Sequence, residues 1–541
     1  MVHVVPGVAS SGGTRFPKHY AMSKWNEDHL RFEADVYELE VIGEIPSAIH
    51  GAFYRIQPDH AFPPLFADTE VPLNGDGNVS SFYIKDGHVD FKQRYVQTPK
   101  LVAEREARRA LFGRYRNKYT DDPRVQNVLQ GTTANTHVVF HDNKLMALKE
   151  DARPMELDPI TLETLGYLDY HGTLKSPTHT AHPKADANTG ELVAFGYEAA
   201  GDASPDICSF TVDQNGRLSE EVWFKAPWPC MIHDFWATDN WVVFPINGLK
   251  ASLEQMQTGG DHFYWDETLD HQLLGVVPRR GAKPEDVRWF KAPQGCFSHT
   301  INAYEEDGKI VLDANVWTDV QFPFFPNTKG ERFYTDPRKV TAPIVRFRFD
   351  PNGSTKTMVH PEGVLVDGLN EFGRVDDRLV GKKYSRVWIL KVDPTHQIRL
   401  NDHEVAEGNV GFNTLVCYNF DTGELQSYQH GDDTTFQEPM FVPRSPDAAY
   451  EDGYLLVVAD RYRQGRNSLL LFEASDITKG PLAEIKLPFK LMDGLHGSWV
   501  DGQDVDAARE ASAARKAAGA PNGKNGTNGT NGTNGTNGTH V

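Results

Sequence analysis

The chain has 541 residues, of which 39% are hydrophobic and 24% charged, an ordinary composition for a globular protein. Its formal net charge of -20 argues against a nucleic-acid partner, because a phosphate backbone requires a basic face. The same charge argues weakly against binding to an anionic membrane surface. The chain contains no apolar run of about 18 residues that would predict a transmembrane helix, so no stable membrane anchor is expected.

Residues 1–30 are predicted to form an N-terminal arm. They begin MVHVVPGVASSGGTRFPKHY and lack the charged start and apolar core of a signal peptide. The four cysteines are scattered along the chain without a CxxC pair, which favours a reducing compartment: Cys208, Cys230, Cys296 and Cys417. A cytoplasmic location is therefore expected, and no obligate protein partner is evident.

Residues 31–502 consist mostly of short predicted strands with turns between them, such as FYIKDGHVDF (82–91) and HVVFHDNKLMAL (137–148). A strand that ends in Asp before a turn recurs four times, at Asp158, Asp213, Asp350 and Asp421. The unit so marked fits a four-stranded propeller blade, and about 450 residues would give six or seven blades. The alternative is a set of unrelated hairpins in β-sandwich domains.

Two segments depart from this pattern. LVAEREARRALFGRYRNK (101–118) predicts a helix that lies on the surface or forms a lid over the blades. Residues 503–541 predict a disordered tail, because its five NGT triplets cannot bury apolar area. The sequons in these triplets are expected to be unmodified without a secretory signal.

A lysine and a glutamate follow an apolar run in LMALKEDARP (145–154). The run predicts a buried strand, and Lys149 and Glu150 at its end are residue types that are rarely buried without partners. Glu371 in LNEFGRVDD and Glu438 in TTFQEPMFVP have similar settings.

Four of the 21 histidines lie beside apolar residues and close to turn signals: His182 in THTAHPKAD, His233 in MIHDFWATDNW, His299 in CFSHTINAYEE and His496 in LMDGLHGSWVDG. The inner strands of a propeller converge on one axis, so histidines on different blades could bind one metal ion there. Buried carboxylates would then accept the second N–H of each imidazole. Taken singly, each histidine is more simply a structural residue.

These segments resemble the histidine and glutamate motifs of the carotenoid cleavage oxygenase superfamily, from about residue 30 to residue 502. The resemblance implies an all-β, seven-bladed propeller with a helical and loop dome over an Fe(II) on its axis. It implies the ligands His182, His233, His299 and His496, paired as Glu150 with His233, Glu371 with His299 and Glu438 with His496. Gly373 stands where the family has proline, which leaves Arg374 and Asp376 intact.

At the position of Lys149, carotenoid cleavers typically have tryptophan. A lysine there makes the segment resemble the stilbene-cleaving branch of this superfamily. The same branch has a tyrosine in a segment like GRYRNKYTDDP, here Tyr115, and an aromatic wall like FPFFP, which points to Phe322. In that branch the lysine and the tyrosine hold the 4'-hydroxyl of the substrate phenol.

The expected protein is thus an Fe(II) dioxygenase that cleaves the central double bond of 4'-hydroxystilbenes with O2 to give two aldehydes. A phenylpropenoid cleaver acting on isoeugenol-like alkenes is the first alternative, because the same anchor would serve it. An apocarotenoid cleaver is the next alternative, and a propeller that has lost its metal and binds partners is the last.

Overall fold

The computed structural model describes residues 16, 25, 29–66, 70–126, 130–332, 334, 339–406 and 411–517. In this part of the chain, 33 strands form seven sheets of four or more strands and a separate two-stranded ribbon. The seven sheets are the blades of a β-propeller, and the predicted fold class is confirmed.

Four blades each consist of four consecutive antiparallel strands. Blade 2 contains β6 (His137–His141), β7 (Lys144–Leu148), β8 (Met155–Leu157) and β9 (Thr164–Tyr167). Blade 3 contains β10 (Lys184–Asp186), β11 (Glu191–Tyr197), β12 (Asp206–Val212) and β13 (Leu218–Lys225). Blade 5 contains β20 (Cys296–Glu306), β21 (Lys309–Trp317), β22 (Ile344–Phe349) and β23 (Pro361–Val366). Blade 6 contains β24 (Leu369–Arg374), β25 (Arg386–Val392), β26 (Thr414–Asn419) and β27 (Leu425–Tyr428).

Blade 4 is interrupted by an insertion. Its strands are β14 (Trp236–Ala237), β15 (Trp241–Ile246), β18 (His271–Pro278) and β19 (Arg288–Pro293). The insertion contains the ribbon strands β16 (Leu249–Ala251) and β17 (Phe263–Trp265) and the short helix α2 (Leu253–Gln257).

The two ends of the chain close the ring of blades. Blade 1 contains β1 (Ala34–Val36), β3 (Gly51–Asp59), β4 (Asp76–Lys85), β5 (His88–Tyr95) and the C-terminal β33 (Gly497–Asp501). Blade 7 contains the N-terminal β2 (Glu40–Gly43), β28 (Thr434–Phe436), β29 (Met440–Pro443), β30 (Gly453–Arg461), β31 (Arg466–Glu473) and β32 (Ala483–Lys486). Because β33 pairs with β3 and β2 pairs with β32, the first and last blades both contain strands from each end of the chain.

The hydrophobic core is divided into layers between neighbouring blades, one for each of the seven blade pairs. Successive residues of a strand point to opposite faces of its sheet. Val138 therefore packs against blade 1, whereas Val139 packs against blade 3. This arrangement explains why central strands such as β31 are buried at almost every position.

The recurring Asp marks the same place in four blades. Asp158, Asp213, Asp350 and Asp421 each lie in the turn between the third and the fourth strand of a blade. In three of these turns the carboxylate accepts a backbone N–H two residues further on, which stabilises the turn. The repeat inferred from the sequence is thus a blade repeat.

The helix predicted over 101–118 is shorter and begins earlier. Helix α1 spans Pro99–Ala107, and Thr98 caps it by accepting the Leu101 N–H. It ends because Arg108 adopts a left-handed conformation and the Glu104 carboxylate accepts the N–H of Leu111, which turns the chain away.

The prediction of a disordered tail from residue 503 is wrong for its first part. Helix α3 spans Gly502–Ala517 and buries Val505 and Ala508 against β3 and β33. Residues 518–541, with the NGT triplets, and most of the predicted arm lie outside the described residues. Among the helices of the described part, none is long and apolar enough to cross a bilayer.

Candidate metal centre and substrate pocket

Each blade brings one of the seven predicted residues to the axis of the propeller. Inner strands of neighbouring blades contact one another around this axis, as β33 does with β6 and β20 does with β14 and β24. Blades 1, 3, 4 and 5 supply histidines, of which His299 lies in β20 and His182, His233 and His496 lie just before β10, β14 and β33. Blades 2, 6 and 7 supply the glutamates, namely Glu150 after β7, Glu371 in β24 and Glu438 between β28 and β29.

The histidines and glutamates form the three predicted pairs. The contacts are His233 Nδ1 to Glu150 Oε1 at 2.6 Å, His299 Nδ1 to Glu371 Oε2 at 2.5 Å, and His496 Nδ1 to Glu438 Oε1 at 2.8 Å. A carboxylate only accepts, so each of these imidazoles donates its Nδ1–H. The other ring nitrogen, Nε2, then carries a lone pair.

These lone pairs converge in a way that fits a bound cation. The four histidines each offer a nitrogen, and the four nitrogens lie within 4.8 Å of one another. His233 Nε2 is 3.0 Å from His299 Nε2 and 3.3 Å from His182 Nε2. Lone pairs at such distances repel one another unless a positive charge lies between them, and four imidazoles are a donor set that suits a transition metal.

Burial keeps two of the candidate ligands, His182 and His496, in the form that a metal needs. Desolvation, followed by repulsion from neighbouring imidazoles, holds the pKa of His182 and His496 well below the usual value. At His299 the same desolvation is outweighed by the charge and the hydrogen bond of Glu371, which raise the pKa of this imidazole. Burial alone would raise the pKa of Glu150, but the hydrogen bond and the charge of His233 lower this pKa to about 2. Neutral imidazole and ionised carboxylate are the states required for metal binding.

Lys149 is buried beside the metal centre, with 3% of its surface exposed. Its ammonium donates to Thr133 Oγ1 at 2.9 Å, lies 3.6 Å from Asp151 and stands 4.6 Å from the ring centroid of Tyr115. Desolvation lowers the pKa of Lys149. Lys149 and Glu150 are thus both inside, one in contact with Tyr115 and the other with His233.

Aromatic residues connect this lysine region to the histidines. The Tyr115 ring lies 5.7 Å from that of Phe325, and Phe322 lies 5.6 Å from the His233 ring. Phe324 packs between the two phenylalanines, at 5.6 Å from Phe322 and 5.0 Å from Phe325. The three predicted substrate-binding residues are far apart in the sequence but belong to one buried region: Tyr115, Lys149 and Phe322.

Several residues that support this region were not found from the sequence. Trp317 Nε1 donates to Glu371 Oε1 at 2.6 Å, and the Asp234 carboxylate accepts from both Lys184 and Thr300. Their partners are distant in sequence, and single residues of these types give no signal. Asp151, which lies 3.6 Å from the Lys149 ammonium, could have been found from the sequence, because it follows Glu150 in the LMALKEDARP segment.

The departure from the family motif at Gly373 has a steric explanation. A Cβ at this position would collide with Cδ1 of Ile301 and approach Cγ2 of Ile389 to 3.1 Å. Ile301 fills the space that a larger residue would need, and Glu371 keeps its contact with His299.

A seven-bladed propeller with four convergent imidazoles and three supporting carboxylates is the arrangement expected of a carotenoid cleavage oxygenase. Comparison with known families agrees, since residues 28–501 match the model of the retinal pigment epithelial membrane protein family. The chain belongs to this family of carotenoid oxygenases and is an oxygenase.

Within this family, the chain is similar to oxygenases that are named for aromatic alkene substrates. Resveratrol cleavage oxygenase 1 of Aspergillus fumigatus is 42% identical over 505 residues, which cover 92% of this chain and 98% of that protein. Isoeugenol monooxygenase of Pseudomonas nitroreducens is 41% identical, with coverages of 87% and 96%. The crystal structure of Pseudomonas brassicacearum lignostilbene dioxygenase matches with a TM-score of 0.85 and 40% identity, over 91% of this chain and all of that one.

Proposed function

We propose that this chain is a non-haem Fe(II) dioxygenase that cleaves the central C=C bond of 4'-hydroxystilbenes, such as resveratrol or lignin-derived stilbenes. One O2 is consumed, and each of its atoms becomes the oxygen of one aldehyde product, so that no external reductant is needed. The observation that carries the proposal is that Lys149, the residue before Glu150, is buried with its ammonium against the ring of Tyr115.

Four neutral imidazoles would hold the iron through the nitrogens that face one another: His182, His233, His299 and His496. Bound Fe(II) supplies the activation of O2. Glu150, Glu371 and Glu438 keep a proton on Nδ1 of their histidines, which fixes the tautomer and the ring orientation.

Lys149 and Tyr115 are the proposed anchor for the substrate phenol. A desolvated ammonium forms a charge-assisted hydrogen bond with a phenolate, and such bonds are roughly twice as strong as neutral ones. The Tyr115 hydroxyl donates a second bond. Together they stabilise the phenolate, whose electron density is conjugated with the double bond to be cleaved.

The aromatic wall is proposed to hold the stilbene rings and exclude water. Phe322 lies next to His233, and Phe325 lies next to Tyr115, so the wall runs from the metal centre to the phenol anchor. A flat, rigid substrate can stack on such rings with little loss of conformational freedom.

A second candidate is the cleavage of phenylpropenoid alkenes such as isoeugenol. It is supported by the relative from Pseudomonas nitroreducens that carries the name isoeugenol monooxygenase. These substrates have the same phenol, so Lys149 and Tyr115 would serve both reactions.

Product analysis of the Fe(II)-loaded protein in air tests the proposal. Resveratrol should give 4-hydroxybenzaldehyde and 3,5-dihydroxybenzaldehyde, whereas its 4'-O-methyl ether should remain intact. Cleavage of both compounds would refute phenolate activation and leave the metal assignment standing. If neither is cleaved but isoeugenol yields vanillin, the second candidate replaces the first.

A further inference from the structure

The residue that follows Tyr115 has an unfavourable backbone conformation. Arg116 has a φ of +54°, in the left-handed region that residues other than glycine seldom adopt. Such a conformation persists only where the surroundings determine it, and it concentrates at functional sites. The contacts that hold Arg116 are therefore informative about Tyr115.

A closed set of buried hydrogen bonds holds Arg116. Its guanidinium donates to the Tyr197 hydroxyl and to Glu198 Oε2, the second at 2.5 Å. Glu198 Oε1 contacts His262 Nε2 at 2.6 Å, and His262 Nδ1 contacts the Arg116 carbonyl oxygen at 2.8 Å. The side chain and the carbonyl of one residue are thus bound by the same Glu198–His262 pair.

The partners of His262 hold its imidazole ring at both nitrogens. A backbone carbonyl only accepts, and Glu198 already accepts from Arg116 and from the Ala203 N–H, as an ionised carboxylate does. His262 therefore donates from Nδ1 to the Arg116 carbonyl oxygen, and its Nε2 lies against the Glu198 carboxylate. Arg116 and Glu198 are the charged groups that it contacts, and its side chain is 1% exposed.

The next residue extends this attachment. Asn117 Nδ2 donates to the carbonyl oxygens of Met256 at 3.0 Å and Gly260 at 2.7 Å, in the blade 4 insertion. His262 belongs to the same insertion and lies immediately before β17. The insertion is therefore hydrogen-bonded to both residues that follow Tyr115, namely Arg116 and Asn117.

We propose that Glu198 and His262 are positioning residues that lock Arg116 in its left-handed conformation and thereby aim the Tyr115 hydroxyl at the substrate phenol. This inference rests on the proposed function, in which Tyr115 binds that phenol. Neither residue of the pair touches the substrate. Without the pair, Arg116 relaxes toward the right-handed conformations, and the direction of the Tyr115 side chain changes.

A double-mutant cycle tests this role. We would measure kcat/KM for resveratrol with His262→Gln and with Glu198→Gln, each alone and in the Tyr115→Phe background. Each single change should lower kcat/KM about tenfold, and in the Tyr115→Phe background the same change should have less than a twofold effect. Two variants are used because one of them could fail to fold, and iron content and thermal unfolding are measured for each.

The matched control is Asp313→Asn. Asp313 is a buried carboxylate bound by Arg346 and Tyr384, so its loss also breaks a buried ion pair, but its effect should be equal in both backgrounds. Equal effects of His262→Gln in both backgrounds would overturn the positioning role while the proposed function stands. If Tyr115→Phe itself leaves kcat/KM unchanged, the phenol anchor is wrong, and the positioning role falls with it.

Discussion

At the scale of single residues, the neighbours Lys149 and Glu150 have separate roles. Both residues follow the end of β7, and their side chains diverge there, Glu150 to His233 and Lys149 to Tyr115. One short segment thereby connects the candidate metal centre with the proposed phenol anchor.

Replacing Lys149 by methionine removes the charge and keeps the length of the side chain. We expect Lys149→Met to lower kcat/KM for resveratrol by roughly 10- to 100-fold, the worth of a hydrogen bond to a charged group. Steady-state kinetics measure this effect. Iron content should be unchanged, and unimpaired cleavage would refute the anchor.

The pH dependence of cleavage should report the charge on Lys149. Desolvation lowers the pKa of Lys149 from its ordinary value of 10.5, and the ammonium is lost above the lowered pKa. Activity on resveratrol should therefore fall as the pH rises through a value below 10.5.

Lys149→Arg is the matched variant for this pH dependence, because a guanidinium stays charged up to about pH 12. Its alkaline limb in kcat/KM should move to higher pH. Ionisation of resveratrol in solution is common to both enzymes, so identical profiles would mean that Lys149 does not set this limb.

The glutamates should affect metal affinity more than folding. Glu371→Gln keeps the shape but weakens the hold on His299, and we expect Fe(II) affinity to fall about 10- to 100-fold. Anaerobic competition with a chelator measures this affinity. Glu451→Gln is the control, since Glu451 is a buried carboxylate that accepts from the backbone N–H of Ser385 and Arg386 instead.

At the scale of elements, β33 closes the ring and directly follows His496. Gly497 begins this strand, and its N–H donates to Glu438 Oε2 at 3.0 Å. A Cβ there would collide with the Tyr54 carbonyl oxygen and lie 2.9 Å from the Phe53 ring. Ring closure and ligand geometry therefore depend on the same glycine.

Gly497→Ala should reduce both properties. We expect the free energy of unfolding to fall by about 1–3 kcal/mol, as for other overpacked sites, together with a loss of bound iron. Thermal unfolding and metal analysis measure the two effects. Gly363→Ala, in an outer strand with nothing within 4 Å of the new Cβ, should change neither, and equal behaviour of the variants would contradict this account.

At the scale of the whole molecule, the metal is expected to connect blades 1, 3, 4 and 5 at the axis. A ligand that binds only the folded state stabilises it by about 4 kcal/mol at a thousand times its dissociation constant. Removal of iron by a chelator should therefore lower the melting temperature, and Fe(II) should restore it.

His182→Ala is the control for this effect, because a site with one ligand removed should respond weakly to chelator and to iron. Calorimetric scans of both proteins measure the difference. An equal melting temperature with and without iron in the unaltered chain would contradict the expected coupling between metal and blades.

The sequence alone predicted the blade repeat, with unrelated hairpins as the alternative, and marked the candidate histidines and glutamates, because both depend on local signals. The Asp turns at Asp158, Asp213, Asp350 and Asp421 are local hydrogen-bonding units, and the alternation of buried residues follows from strand geometry. The resemblance added the metal-binding roles and the pairing of the seven axial residues, since their motifs are short and continuous.

Only the tertiary structure decided which segments that are distant in sequence contact one another. The end of α1 depends on a Glu104 contact, and the helix α3 depends on packing against β3 and β33, so neither followed from the pattern of the segment itself. Likewise Glu198 and His262 are ordinary in sequence and meet Arg116 only because blade 3 and the blade 4 insertion are folded beside each other. Propensity and periodicity act over a few residues, whereas burial and partner choice are properties of the assembled ring.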